Sequence, residues 1–397
     1  MQLGRMPNSS IRQTLFWLHL AAGVTAGLVI LLMSVTGVLL AFERQIVAFA
    51  DRDFRATAAE AAGAPLPLSR VLAAAVAAAP DGRPSNVVVR SDRFAPVAVS
   101  FGRERTLFVN PYSGAVLGEG GRGVRAFFEA NKSLHRWLAM KGEGRERGKA
   151  ITGAANLAFL FIVLSGLVIW IPRRRTRTGF RNAMLFRRGL RGRARDFNWH
   201  HVLGIWAFLP LVAIVFSAVV ISYPWASRLV YRAFGSTPPE QQQPSTGRGG
   251  GKLDLAGLDR LSTVARNEAG RVAPAWQSLS VRLPLSANAP VAFALDEGNG
   301  GRPDKRSQLM IDARTARVVE HKTYAQQESG QQARSWLRWI HTGEAGGILG
   351  QFVAMLASAA AVVLVYTGLA LALRRFARLL RGAPAPSQQL VEEESNA

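Results

Sequence analysis

The chain has 397 residues, 49% of them hydrophobic, and a formal net charge of +23. It contains no cysteine, which excludes disulfides, thiolate metal sites, Cys-ligated iron–sulfur clusters and covalent C-x-x-C-H haem attachment. A metal or haem would have to be held by His, Met, Tyr or carboxylates, and only six histidines exist: His19, His135, His200, His201, His321 and His341.

A bilayer-crossing helix needs roughly 20 mostly apolar residues, and four windows meet that length without a charged residue. The first, Gln13 to Phe42, follows Arg5 and Arg12. It is too long for the apolar stretch of a signal peptide and is expected as an uncleaved span. Glu43 to Lys149 mixes acids with bases. Within it, Ser69 to Ala79 reads as a helix, and Asn86 to Val99 and Thr106 to Val116 as strands, with a turn at Pro111-Tyr112-Ser113-Gly114. The second span is Ala150 to Pro172. Arg173 to Arg195 then carries ten arginines and no acid. The third span, Phe197 to Ser227, contains Pro210, a potential kink.

Arg228 to Glu344 again mixes signs. Thr237 to Lys252 is a Pro-, Gln- and Gly-rich linker, Asp254 to Ala269 a helix, and Gln277 to Leu283, Val291 to Leu295 and Ser307 to Val319 strand-like, with Asp312 to Thr315 at the turn. Ala345 to Leu373 is the fourth span, followed by Arg374, Arg375, Arg378 and Arg381. Basic segments stay cytoplasmic, so both termini and the arginine loop face the cytoplasm of a bacterial inner membrane and the two mixed segments face the periplasm. The arginines serve topology and anionic lipid. No base-reading motif accompanies them, so nucleic acid is not an expected partner.

The expected fold class is a membrane α-helical protein with four transmembrane helices in two repeated halves, each with a small periplasmic α+β lobe. The expected divisions are the first span (1–44), lobe 1 (45–130), a His segment with the second span (131–173), the basic loop (174–196), the third span (197–227), lobe 2 with its linker (228–335), a His segment with the fourth span (336–375), and a tail (376–397). The repeat is visible in residues. Phe16-Trp17-Leu18-His19 with Gly23 echoes Phe197-Asn198-Trp199-His200 with Gly204. Thr36-Gly37 and Ser217-Ala218 each begin 17 residues after those histidines. Leu134-His135 and Ile340-His341 precede returning spans that hold Ser165-Gly166 and Thr367-Gly368.

Ionisable residues inside a membrane are costly and usually functional. His19 and His200 lie early in spans that start from the cytoplasm. His135 and His341 lie just before spans that start from the periplasm. Two pairs at two depths suit bis-imidazole ligation of two haem b groups, which fills both axial positions and favours electron transfer. His19 and His200 would hold the cytoplasmic-side iron, His135 and His341 the periplasmic-side iron. The charged stretch Lys141 to Lys149 separates His135 from the second span and weakens its placement. The small pairs are expected to lie against the haems, or else to serve ordinary close helix packing. His201 is out of register and expected beside a haem propionate, and His321 beside a periplasmic strand. Zinc needs three or four ligands, and the spans offer no carboxylate. A transporter is disfavoured for the same lack of intramembrane acids and lysines.

These residues resemble the PepSY-associated transmembrane proteins, the iron-regulated inner-membrane group that includes ferrisiderophore reductases. The resemblance rests on Leu18-His19 with Gly23, Leu134-His135-Arg136, Trp199-His200 through Gly204-Ile205-Trp206, Ile340-His341-Thr342-Gly343, and the PepSY-like Leu107 to Gly118, with Leu309 to Val318 a weaker copy. It implies a di-haem reductase with PepSY-like lobes, an oxidoreductase whose haem histidines fall on His19, His135, His200 and His341 and whose partner is a ferric siderophore. Reduction to Fe(II) releases the metal, because siderophore oxygens are hard ligands. Arg136, Trp137, Trp336, Arg338 and Trp339 are candidates for the docking surface, or for interfacial anchors. Quinol or a cytoplasmic reductase would be the electron donor. In this copy Arg314 stands where the turn glycine is expected. Two rivals remain: a cytochrome b subunit serving a partner protein, and a non-enzymatic PepSY binding or regulatory module on an inert anchor.

Overall fold

The computed structural model describes residues 8–102, 105–171, 176–238, 255–285 and 289–381. Nearly all of the expected linker at 237–252, part of the arginine loop and the tail from 382 lie outside the described residues. The chain divides into two compact units, one drawn from Met1–Val38, Leu134–Ser222 and Phe352–Ala397, the other from Leu39–Ser133 and Tyr223–Gln351.

Helices α1 (Asn8–Leu40), α2 (Glu43–Ala50), α3 (Leu68–Ala78), α4 (Arg122–Trp137), α5 (Gly144–Trp170) and α6 (Arg177–Met184) fill the first half. Helices α7 (Gly192–Trp206), α8 (Phe208–Ser222), α9 (Pro224–Ala233), α10 (Leu255–Val272), α11 (Ser329–His341) and α12 (Gly347–Leu380) fill the second. Among the described residues, α1, α5 and α12 are long and apolar enough to cross a membrane. Helices α7 and α8 pass the same test only together, bent by 69°, and make a fourth span if the pair crosses as one. The third window is thus a broken helix, not a continuous one. Pro210, in the first turn of α8, cannot donate to the Trp206 carbonyl, and its ring crowds that turn, which explains the break.

The charged stretch before the second span forms the opening turns of α5 rather than a spacer. Leu138 and Ala139 take left-handed backbone (φ 54° and 58°), and Gly142 does too, so the chain reverses tightly between α4 and α5. Gly148 then lies against the Trp137 carbonyl, where a Cβ would be 2.1 Å from the oxygen. Thr152 Oγ1 donates to the Arg136 carbonyl at 3.0 Å. His135 therefore sits directly beside the start of the second span.

Within the other unit the strands are β1 (Asn86–Arg90), β2 (Val97–Phe101), β3 (Arg105–Val109), β4 (Val116–Glu119), β5 (Ser278–Arg282), β6 (Val291–Asp296), β7 (Arg306–Ile311) and β8 (Val318–Lys322). They were expected as two short sheets. Instead they form one sheet of order β4-β3-β2-β1-β5-β6-β7-β8. Two antiparallel meanders join where β1 pairs with β5, with Val88 opposite Ser280. Each meander alone would leave that strand as an unpaired edge, and pairing them removes both edges. Helices α3 and α10 share a core with the sheet, in which Leu72, Ala75, Leu258 and Ala265 are buried with Val99, Leu107, Leu309 and Ile311. The alanines let the helices approach closely.

The two hairpin turns match atom for atom in their hydrogen bonds. Asn110 N–H donates to the Ala115 carbonyl and Asp312 N–H to the Arg317 carbonyl, each at 2.9 Å. The residue with positive φ is Gly114 (73°) in the first turn and Ala316 (55°) in the second. Ala316, not Arg314, therefore replaces the glycine. Asp312 Oδ1 accepts from Arg314 N and Thr315 N at 3.0 and 2.8 Å, as Asn110 Oδ1 accepts from Tyr112 N and Ser113 N at 2.9 and 3.3 Å, and also from Thr315 Oγ1 at 2.9 Å.

Candidate functional site

In the first unit, three of the four singled-out histidines occupy the same kind of seat. His19 Nδ1 lies 2.9 Å from Ser165 Oγ. His200 Nδ1 lies 3.0 Å from Thr367 Oγ1. His135 Nδ1 lies 2.8 Å from Thr36 Oγ1. A hydroxyl has one proton to give, and each of these is placed to give it to its own helix. Ser165 Oγ donates to the Ile162 carbonyl at 3.2 Å, Thr367 Oγ1 to Val363 at 2.7 Å, and Thr36 Oγ1 to Leu32 at 2.8 Å. With its proton so used, each hydroxyl suits an imidazole that carries its hydrogen on Nδ1 and keeps the lone pair of Nε2. That is the neutral tautomer a metal ligand needs, with a hydrogen bond behind it that fixes the ring.

The residue after each hydroxyl lies against the ring, tightly at Gly368 and in ordinary contact at Gly166 and Gly37. A Cβ on Gly166 would meet His19 Cε1 at 3.5 Å, one on Gly368 would meet His200 Cε1 at 3.3 Å, and one on Gly37 would meet His135 Cε1 at 3.8 Å. Three of the small pairs thus touch the histidines themselves. Ser217-Ala218 is the matching pair in α8, and Ser217 Oγ donates to the Ala213 carbonyl at 2.7 Å in the same manner. His341 is the last residue of α11, in the other unit. His321 is in β8, half-buried, with Nε2 3.0 Å from Ser307 Oγ.

His19 and His200 line one cavity of about 310 Å³. This is at the lower end of the range for small-molecule and cofactor sites, roughly 300–1,000 Å³. Gly23 and Gly204 lie one turn beyond the two histidines on the same helix faces and also line it, as does Gly27. A Cβ at Gly23 would meet nothing within 4 Å. The walls are otherwise apolar, from Phe16, Leu20, Phe159, Val163 and Leu369 among others. His201 lines the cavity too, its ring 4.1 Å from that of Phe197.

One end differs. Arg193, Arg375, Arg378 and Trp170 line it. These were not singled out from the sequence, where they merge into the cytoplasmic arginines. The nearby Asp196 is fully buried and accepts from Arg195 at 2.8 Å and Arg374 at 2.6 Å. It clamps the start of α7 to the end of α12.

A bis-imidazole haem fits these residues. It requires two neutral imidazoles with free Nε2 atoms, apolar walls, and cations or donors at the edge that carries the carboxylates. The last condition meets buried nitrogens that lack an acceptor among the described residues: Trp170 Nε1 and Arg375 Nε. Among the described residues no three His, Asp or Glu side chains converge as a zinc-type site.

No curated protein matches the chain. The family model described as the PepSY-associated TM region matches residues 16–375, most of the chain, with the four small dipeptides and His19, His135, His200 and His341 inside it. The protein is a membrane protein with apolar spans and a β-sheet region, and it belongs to the PepSY-associated TM family.

Proposed function

We propose that the protein is a di-haem b oxidoreductase of the bacterial inner membrane that passes electrons outward to reduce a ferric siderophore in the periplasm. The observation that carries this reading is the pair His19 and His200, both with Nδ1 tied to a hydroxyl and both lining one apolar cavity. Held between two imidazoles, haem iron supplies one-electron transfer without an open position for oxygen. The chain's own part is to fix the two rings, exclude water with apolar walls and present cations at one end. A second haem rests on the sequence repeat, with His135, seated on Thr36 in the same way, as its ligand from this unit.

An orientation with both termini in the cytoplasm is supported by the arginines at 173–195 and after the fourth span. Four spans in two repeated halves are supported by the matched seats and by the matched hairpin turns. In this reading the electrons come from a quinol or a cytoplasmic reductase.

The test is direct. The purified full chain, reduced and freed of reductant, is mixed with a ferric hydroxamate or catecholate chelate and an Fe(II) trap. Reoxidation of the haem with matching formation of trapped Fe(II) is expected. Haem that stays reduced with every chelate, yet reoxidises with a partner protein, would instead make the chain an electron-transfer subunit.

A further inference from the structure

We propose that the arginine-lined end of the cavity is a binding site for a pair of carboxylates, those of the haem, with Arg375 and Trp170 as donors. This rests on the haem reading above and assigns two residues that reading leaves unused. Two nitrogens from two different helices, Arg375 Nε of α12 and Trp170 Nε1 of α5, are buried and have no acceptor among the described residues. Both residues line the one cavity. A buried donor left unpaired is costly, so the arrangement favours an acceptor from outside the chain.

Charge points the same way. Of the adjacent Arg374 and Arg375, the first is neutralised by the buried Asp196. Arg375 has no carboxylate partner among the described residues, and its guanidinium is held over the rings of Phe16 and Trp17, at 4.9 and 4.7 Å. Arg193 and Arg378 add positive potential at the same end. Arg193 precedes His200 by two helical turns, and Arg375 follows Gly368 by two turns, about 10 Å along the axis. Gly368 is the residue packed on His200. The donors therefore stand beyond the imidazoles on one side only, as the carboxylates of a porphyrin stand on one edge of the ring. Bidentate guanidinium–carboxylate pairing is the strong form of this contact.

The experiment titrates the full chain, depleted of haem and held in zwitterionic nanodiscs, with haem and with haem dimethyl ester, whose carboxylates are blocked. Absorbance reports binding. Wild type should prefer haem over the ester by about ten- to a hundredfold, the size of a charged hydrogen bond. Arg375→Leu and Trp170→Phe should lose most of that preference while binding the ester as wild type does, which also shows that their cavities are intact. Equal binding of both ligands by wild type, or a preference untouched in Arg375→Leu, overturns the proposal. Neither ligand binding at all would overturn the haem reading itself. In anionic nanodiscs the preference should persist; its abolition there would assign the donors to lipid phosphate and overturn the carboxylate site.

Discussion

Thr367→Val removes one oxygen from the His200 seat and leaves its volume nearly unchanged. Thr367 is fully buried, and its hydroxyl both accepts from His200 Nδ1 at 3.0 Å and donates to the Val363 carbonyl at 2.7 Å. The carbonyl keeps its helical bond, so the loss falls on the imidazole N–H, which is left buried without an acceptor. Such a group costs about 1–3 kcal/mol. The unloaded protein should therefore unfold at a lower temperature than wild type. The ring, freed of its tautomer constraint, should bind haem about 10–100-fold more weakly, the usual effect of removing a hydrogen bond behind a metal-bound histidine. Thr367→Ser keeps the hydroxyl and should be close to wild type in both respects. Calorimetry and haem titration of the full chain in nanodiscs check the two magnitudes, and ¹⁵N shifts of the imidazole in the unloaded protein report the tautomer directly. If Thr367→Val keeps the Nδ1–H tautomer and wild-type haem affinity, the seat is not what prepares His200.

Further outcomes follow from the same geometry. Gly23→Leu should fold, since a Cβ there meets nothing within 4 Å, yet fill the cavity and abolish haem uptake at His19 and His200, read by a halved haem-to-protein ratio. Asp196→Ala should lower stability by about 1–3 kcal/mol in a thermal melt, because Arg195 and Arg374 lose their buried acceptor but keep access to water. Ala316→Gly should raise stability by about 0.5–1 kcal/mol, since the left-handed strain of a non-glycine exceeds the added entropy of glycine. Hydrogen bonds from Thr315 hold the Asp312 carboxyl below its ordinary pKa of 3.8. Its folded pKa being lower than its unfolded one, that carboxylate stabilises the turn fully above 3.8 and stops doing so as pH falls through the lowered value. The stability gap between wild type and Asp312→Ala should close over that acid range in pH-dependent melts.

Much of this architecture was legible in the sequence because its signals are local. The apolar windows, the helix of each strand-bearing segment and the strand positions depend on run length and alternation; α3 and α10 fall close to where those patterns put them, whereas Asn86 to Val99, read as one strand, folds back as β1 and β2. The repeat also singled out the pairs at Thr36, Ser165, Ser217 and Thr367. The hydroxyl–imidazole contacts were not legible, because a repeat does not say which histidine a Ser or Thr meets on another helix. The single sheet was hidden because the β1–β5 pairing joins residues about 190 positions apart along the chain, and period-2 alternation says nothing about which strand lies alongside. The reversal at Leu138 and Ala139 was hidden for another reason: neither residue type announces left-handed backbone. The cavity's arginines were masked by their neighbours, because charge count cannot separate Arg375 from Arg374, whereas the buried Asp196 can.

The most direct measurement is the haem content and reduced-minus-oxidised optical spectrum of the full chain purified from haem-replete cells, alongside His19→Ala and His135→Ala. Two six-coordinate haem b groups per chain, with one lost in each variant, is the result expected of paired imidazoles on hydroxyl seats. A colourless protein, or a haem that survives both substitutions, would contradict it.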